Sequence, residues 1–381
     1  MGYRSILVLS VAAGVLAACA FGCAGADDDT KALDETGGGN VGGSGGTAGT
    51  GGQPSTGGAL PTGGVATGGA EPTGGVATGG AEPTGGADGT GATMPELHKF
   101  VGNIDTRGSI RDDFATYWDQ FSPENAGKWE SVQRSEGSFN WNSLDAMHDY
   151  CVENHILFKE HCFVWGRQQP GWVNNSNGES AVKEWMGAFC DRYPDTPIID
   201  VVNEPPPHTT PAYKDGIGGD GSTGWDWIAN AFMWAREACP NAVLILNDYN
   251  NIELSGDTRH TIDIVQAIQS VDAPIDAIGC QSHGTDRSSA SSLESAINNL
   301  AQSTGLPVYI TEYDLNIADD NEQQRVMQEQ FTMFWNNENV AGITYWGYIE
   351  GATWQTNTGL MSSSGQMRPA MTWLMDFLGR P

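Results

Sequence analysis

The chain has 381 residues, 51 of them glycine, and a formal net charge of −29. Residues 94–381 hold all 13 tryptophans and set 16 basic against 39 acidic side chains, so this part is large enough for a sizeable core. It is also too acidic for generic nucleic-acid binding or for docking to a membrane through a basic patch, and it suits neutral partners.

Residues 1–18 read as an export signal: Arg4 supplies the charge and Ile6–Ala18 the apolar run, which is short for a bilayer span. Leu16-Ala17-Ala18-Cys19 resembles a bacterial lipobox, in which the cysteine takes lipid and becomes the mature N-terminus; ordinary cleavage is the alternative. Residues 37–93 carry 24 glycines and no aromatic residue, a composition that cannot offset its chain entropy. Within them Pro61–Glu71 is repeated without change as Pro72–Glu82. With nothing bulky to stack, residues 19–93 are expected to be a disordered tether reaching roughly 50 Å. The protein is then exported, as a cell-surface or outer-membrane lipoprotein or otherwise secreted, and meets membrane only through Cys19. Export permits disulfides. Cys151, Cys190 and Cys239 fall near predicted helix ends, and the sequence leaves their pairing, and that of Cys162 and Cys280, open. No spacing suggests a structural metal.

From residue 100 short apolar runs alternate with helix-like stretches. The predicted strands are Phe100–Ile104, a short one ending at Glu124, Ile156–His161, Ile198–Asn203, Val243–Asn247, Ala277–Gln281, Val308–Glu312 and Gly342–Trp346. The predicted helices include Asn142–Asn154, Ser180–Arg192, Trp225–Cys239, Thr258–Ser270, Leu293–Ser303, Glu322–Asn336 and Pro369–Leu378. Eight βα units over residues 94–381 predict an α/β fold, a (β/α)8 TIM barrel. The competing doubly wound sheet would want a glycine-rich phosphate loop after the first strand, and residues 102–108 do not supply one. Trp118, Trp129, Trp185, Trp234 and Trp335 read as core.

Polar residues cluster at the C-terminal ends of these strands, the face where barrels carry their catalytic groups. Glu204 and Glu312 each end an apolar run. Two carboxylates at a barrel mouth fit glycoside hydrolysis, in which one protonates the leaving oxygen and the other attacks the anomeric carbon or directs water to it. The proton donor then needs a raised pKa and its partner must stay ionised.

The segments Ser122-Pro123-Glu124-Asn125-Ala126-Gly127-Lys128-Trp129, His161-Cys162-Phe163-Val164-Trp165, Asp200-Val201-Val202-Asn203-Glu204, Asn247-Asp248-Tyr249-Asn250, Gln281-Ser282-His283, Ile310-Thr311-Glu312-Tyr313-Asp314, and Trp346-Gly347 with Trp354 resemble, in order, those of glycoside hydrolase family 10, the endo-1,4-β-xylanases. The resemblance covers nearly all of residues 97–381. It implies that Glu204 is the acid/base and Glu312 the nucleophile of a retaining reaction on xylan and xylo-oligosaccharides, with no cofactor and no metal. It further implies that Glu124, Asn125 and Lys128 bind the glycone side, which His161, Trp165 and Gln168 also line. Gln281 stands near the acid/base, and Trp346 and Trp354 form an aromatic floor and lid. The residues themselves suggest that Asn203 holds the 2-hydroxyl of the reacting sugar, and that His283, oriented by Asp314, bonds Glu312. Tyr249 is a candidate contact for the leaving-group sugar. A monomer is expected.

Two features depart from the family pattern. Gly166 stands where many relatives have a second histidine, and Glu350 where an aspartate is usual. Pro205-Pro206-Pro207 and the loop through Gly216–Gly224 are further peculiarities, and together they leave the leaving-group side open. A barrel cellulase or mannanase is one alternative. A non-catalytic glycan-binding lipoprotein is another, and it would have no need of a matched acid and nucleophile.

Overall fold

Eight short runs, buried on both faces along almost their whole length, form strands that close on themselves. The computed structural model describes residues 97–381, so the export signal, Cys19, the tether and its repeat lie outside the described residues. The strands are β1 (Val101–Ile104), β2 (Gln120–Ser122), β3 (Leu157–Trp165), β4 (Ile198–Asn203), β5 (Val243–Asp248), β6 (Ala277–Cys280), β7 (Val308–Tyr313) and β8 (Val340–Tyr345). Each pairs in parallel with the next, and β1 pairs with β8, completing the expected (β/α)8 barrel. The closed ring excludes the doubly wound sheet.

Nine α-helices are described: α1 (Phe114–Tyr117), α2 (Trp129–Val132), α3 (Asn142–Asn154), α4 (Gly178–Arg192), α5 (Asp226–Ala238), α6 (Ser255–Gln269), α7 (Ala290–Thr304), α8 (Asp320–Asn336) and α9 (Pro369–Leu378). The seven long ones follow the predicted ranges to within a few residues. Local chemistry sets several ends. Ser289 and Asp319 cap α7 and α8 by accepting from the N–H groups of Ser292 and Glu322. Pro369 opens α9, where no N–H is needed, and Gly305 and Gly379 close α7 and α9 in the left-handed region.

Each helix turns an apolar stripe to the barrel, as α4 does with Ala181, Val182, Trp185, Met186 and Phe189. Trp118, Trp129 and Trp185 are buried there, and Trp234 and Trp335 are half-buried against the same core. A second cluster, Phe100, Ile198, Val243, Ile245, Ala277 and Tyr309, fills the N-terminal end of the barrel. The other end is left to polar side chains. A disulfide joins Cys190 to Cys239 at the C-terminal ends of α4 and α5, while Cys151, Cys162 and Cys280 are buried thiols.

Candidate active site

Register slips interrupt the β3–β4 ladder between His161 and Val164, the β4–β5 ladder between Asp200 and Val202, and the β7–β8 ladder between Ile310 and Tyr313. Such slips re-aim side chains. These slips fall in the strands that carry His161 and Trp165, that end at Asn203 just before Glu204, and that carry Glu312.

Glu204 follows β4 in a left-handed backbone conformation, φ 50°. Its N–H donates to the Asn247 carbonyl at 2.8 Å, and its own carbonyl accepts from the Thr209 N–H at 3.0 Å and hydroxyl at 2.6 Å. Both carboxylate oxygens are held: Trp165 Nε1 donates to Oε2 at 2.9 Å and Gln281 Nε2 to Oε1 at 3.1 Å.

Glu312 is buried. Its Oε1 accepts from Asn247 Nδ2 at 2.8 Å, and Oε2 lies 3.1 Å from His283 Nε2. Burial alone would raise its pKa. The charge of His161, whose Nδ1 is 3.9 Å from Oε1, the hydrogen bond and charge of His283, and the charge of Lys159 outweigh burial and bring the pKa down to about 2. His283 Nδ1 lies 3.1 Å from Asp314 Oδ2. Burial pushes the imidazole down, but Asp314 first and Glu312 second raise it to about 10, so at neutral pH it is an imidazolium between two carboxylates. Asp314 Oδ2 also accepts from Trp354 Nε1 at 2.7 Å. His161 Nδ1 donates to Asp200 Oδ2 at 2.9 Å, and Lys159 pairs with the same oxygen.

The two carboxylates are wired together by amides. Gln281 Nε2 donates to Glu204 and, at 3.2 Å, to Asn203 Oδ1; Asn247 Nδ2 donates to the same Oδ1 at 2.9 Å and to Glu312. The Thr311 hydroxyl donates to Asn247 Oδ1 at 2.5 Å, which fixes which way that amide faces. Gly279 makes room for it, since a Cβ there would stand 2.4 Å from Asn247 Oδ1. Asn203 Oδ1 is thus fully engaged, while its Nδ2 has no partner among the described residues.

On the β2 side, Lys128 Nζ and Gln168 Nε2 both donate to Asn125 Oδ1 at 3.2 Å, and the ammonium sits 4.8 Å from the Trp165 ring centroid. The Glu124 N–H donates to Asp105 Oδ1 at 2.8 Å. Burial and the neighbouring Asp105 raise the Glu124 pKa against the pull of Lys128. Trp346 is buried, edge-on to His161 and His283, with ring centroids 5.3 and 6.5 Å apart. Trp354, 51% exposed, leans over His283 at 4.6 Å, and Tyr249 is half-buried beside Asp248. All the candidate side chains therefore meet at one end of the barrel.

The sequence reading missed Asn247, Lys159, Asp200 and Asp105 as parts of this site. Lys159 is two residues before His161 on one strand face, and alternation could have found it. Asp200 lies inside an apolar run, where a buried partner cannot be read from spacing. Backbone strain gathers here too. Among the described residues, eight non-glycines have positive φ, and six of them, Arg107, Gln168, Glu204, Asn250, Ser282 and Asn357, lie in loops that follow β1, β3, β4, β5, β6 and β8. Among the described residues, no group of three His, Cys, Asp or Glu side chains is placed to hold a metal ion.

The sequence model of Glycosyl hydrolase family 10 matches residues 90–377. Endo-1,4-beta-xylanase B of Cellvibrio japonicus is 42% identical over 282 residues, 73% of this chain and 45% of its own length. Endo-1,4-beta-xylanase A of Caldicellulosiruptor saccharolyticus is 31% identical over 281 residues, 66% of this chain and 82% of its own. The chain thus spans under half of the first of these relatives and most of the second. A solved structure of an intracellular xylanase from Thermoanaerobacterium saccharolyticum, a mutant in complex with xylotetraose, superposes with a TM-score of 0.65 at 23% identity, covering 73% of this chain and 95% of that one. At that identity the likeness is one of fold.

Proposed function

Because the chain belongs to glycosyl hydrolase family 10, we propose that it is an endo-1,4-β-xylanase, cleaving internal bonds of xylan and xylo-oligosaccharides by a retaining double displacement. One observation carries the reading: the two carboxylates are held differently. Glu312, clasped by Asn247 and His283, is ionised down to about pH 2, as a nucleophile must be. Glu204 is oriented by Trp165 and Gln281 at the mouth, within reach of solvent.

In the first step a Glu312 oxygen bonds to the anomeric carbon while Glu204 gives its proton to the departing glycosidic oxygen. In the second, Glu204 takes a proton from water, whose oxygen displaces Glu312 and restores the β configuration. Asn203 Nδ2, without a partner among the described residues, donates to the 2-hydroxyl, a bond that strengthens as charge develops. Trp346 floors the reacting sugar. Glu124, Asn125, Lys128 and Gln168 offer donors and acceptors to the glycone side, and Trp354 covers it. The acidic surface, with 39 acidic side chains in residues 94–381, is compatible with a neutral polymer. We place the enzyme outside the cytoplasm, held by lipid at Cys19 through the glycine-rich tether, and acting as a monomer.

Chemical rescue tests the roles. Glu204→Ala should show a burst with an activated aryl xyloside, then stall, and azide should restore turnover as a β-xylosyl azide. Glu312→Ala should lose every substrate and give α-azide if any. A wild-type product that appears first as the α anomer would defeat the retaining assignment.

A further inference from the structure

The loop after Glu204 does something that its three prolines do not announce. It folds inward over β3. A Cβ on Gly166 would stand 2.6 Å from Thr210 N and 2.7 Å from Thr209 Cβ, so the missing side chain at 166 is what lets the loop in. The loop is pinned on three sides. The Thr209 hydroxyl donates to the Glu204 carbonyl and accepts from the Gly166 N–H at 3.3 Å, and the Pro206 carbonyl accepts from His260 Nε2 of α6 at 2.6 Å.

Held this way, the loop lays His208 flat on Tyr249, with ring centroids 3.8 Å apart and planes 15° from parallel. His208 Nδ1 lies 2.6 Å from Asp248 Oδ1, and the same oxygen accepts the Tyr249 N–H at 2.9 Å. Asp248 is buried, so one carboxylate clamps both members of the stack. Burial would lower the imidazole's pKa, but the bond to Asp248 and its charge raise it. With Nδ1 committed, Nε2 is the remaining ring nitrogen, and it has no hydrogen-bond partner among the described residues. The result is a rigid two-ring plate with a polar edge. It starts from the end of β5, three strands round the ring from β2, after which the Glu124–Lys128 cluster lies, and is covalently four residues from Glu204.

We infer that His208 is a specificity-determining residue for the sugar on the leaving-group side: it locks the Tyr249 ring as a platform and offers Nε2 to a hydroxyl of that sugar. The inference rests on the xylanase reading above and deepens it. A pyranose face packs on a ring whose plane is fixed, and fixing the plane in advance spares the ordering cost on binding.

The test compares kcat/KM for xylotetraose with that for β-xylobiosyl fluoride, whose leaving group carries no sugar. His208→Asn keeps a donor for Asp248, and so keeps the loop pinned, but removes the ring and Nε2. The ratio of the two constants should fall about tenfold in His208→Asn and in Tyr249→Leu. Because the rings act as a unit, the double variant should fall no more than about threefold beyond the larger single effect. A ratio within about twofold of wild type, or a double variant at the product of the singles, overturns the role of His208. Wild-type inactivity on both xylose substrates would overturn the xylanase reading itself, and the inference with it.

Discussion

Replacing His283 with alanine removes the cation that touches Glu312 and leaves the burial that opposes its ionisation. In the intact site the carboxyl is held at about 2. A hydrogen bond to a charged group is worth roughly 1.5–3 kcal/mol, and a pKa unit is about 1.36 kcal/mol, so losing His283 should raise the carboxyl by roughly 1–2 units. His161 and Lys159 remain and keep the shift from growing further. The sign follows from the nucleophile's ionised form. Activity is lost as pH falls through the Glu312 pKa, so the acid limb should move up in pH. Stability moves with it. A depressed carboxyl pKa contributes stability above its ordinary value of 4.5, lost as pH falls toward about 2, and the variant should narrow that window. The assay is kcat/KM for β-xylobiosyl fluoride against pH, since fluoride leaves with little help from an acid. Coincident acid limbs in wild type and His283→Ala would refute the reasoning, because His283 would then not be sustaining the charge on Glu312.

Trp354→Ala should lower kcat/KM on xylan by about tenfold and narrow the preference for xylan over cellulose, since the ring supplies both contact and steric exclusion; equal preference before and after would count against the lid. Removing the Cys190–Cys239 bond, which closes a loop of 49 residues, should cost about 4 kcal/mol on a chain-entropy estimate and lower the melting midpoint by about 7 °C, measured by calorimetry. Cys19→Ser should move the protein from the membrane fraction to the soluble one with its specific activity intact.

Much of the barrel was legible because β4 to β7 are short apolar runs that end in or lead into functional residues, and because helices α3 to α9 carry a regular apolar stripe. The limits have physical causes. β3 was expected to end at His161, yet it runs to Trp165, because a register slip absorbs the break in alternation. Helices α1 and α2 have four residues each, too few for a period to show. Glu204 and Glu312 stood out as strand-end carboxylates, and the suggested link from His283 to both Asp314 and Glu312 is present in the fold. Asn247 did not stand out, since its place between Asn203 and Glu312 depends on the gap that Gly279 leaves opposite. His208 was not singled out in the sequence, and only the folded chain brings it to Tyr249.

The uneven distribution of left-handed residues has a consequence for anyone who would make this protein hardier. Conformations of that kind cost on the order of 1–3 kcal/mol each, and six of the eight sit in loops around the catalytic mouth. Relaxing any of those six risks moving Glu204 or its neighbours. The other two, His155 at the end of α3 and Asp272 after α6, lie at the far end of the barrel. Glycine there would relieve backbone strain where no reacting group depends on the geometry. The two ends of the barrel can therefore be treated as separate materials, one to be left as it is and the other open to reinforcement.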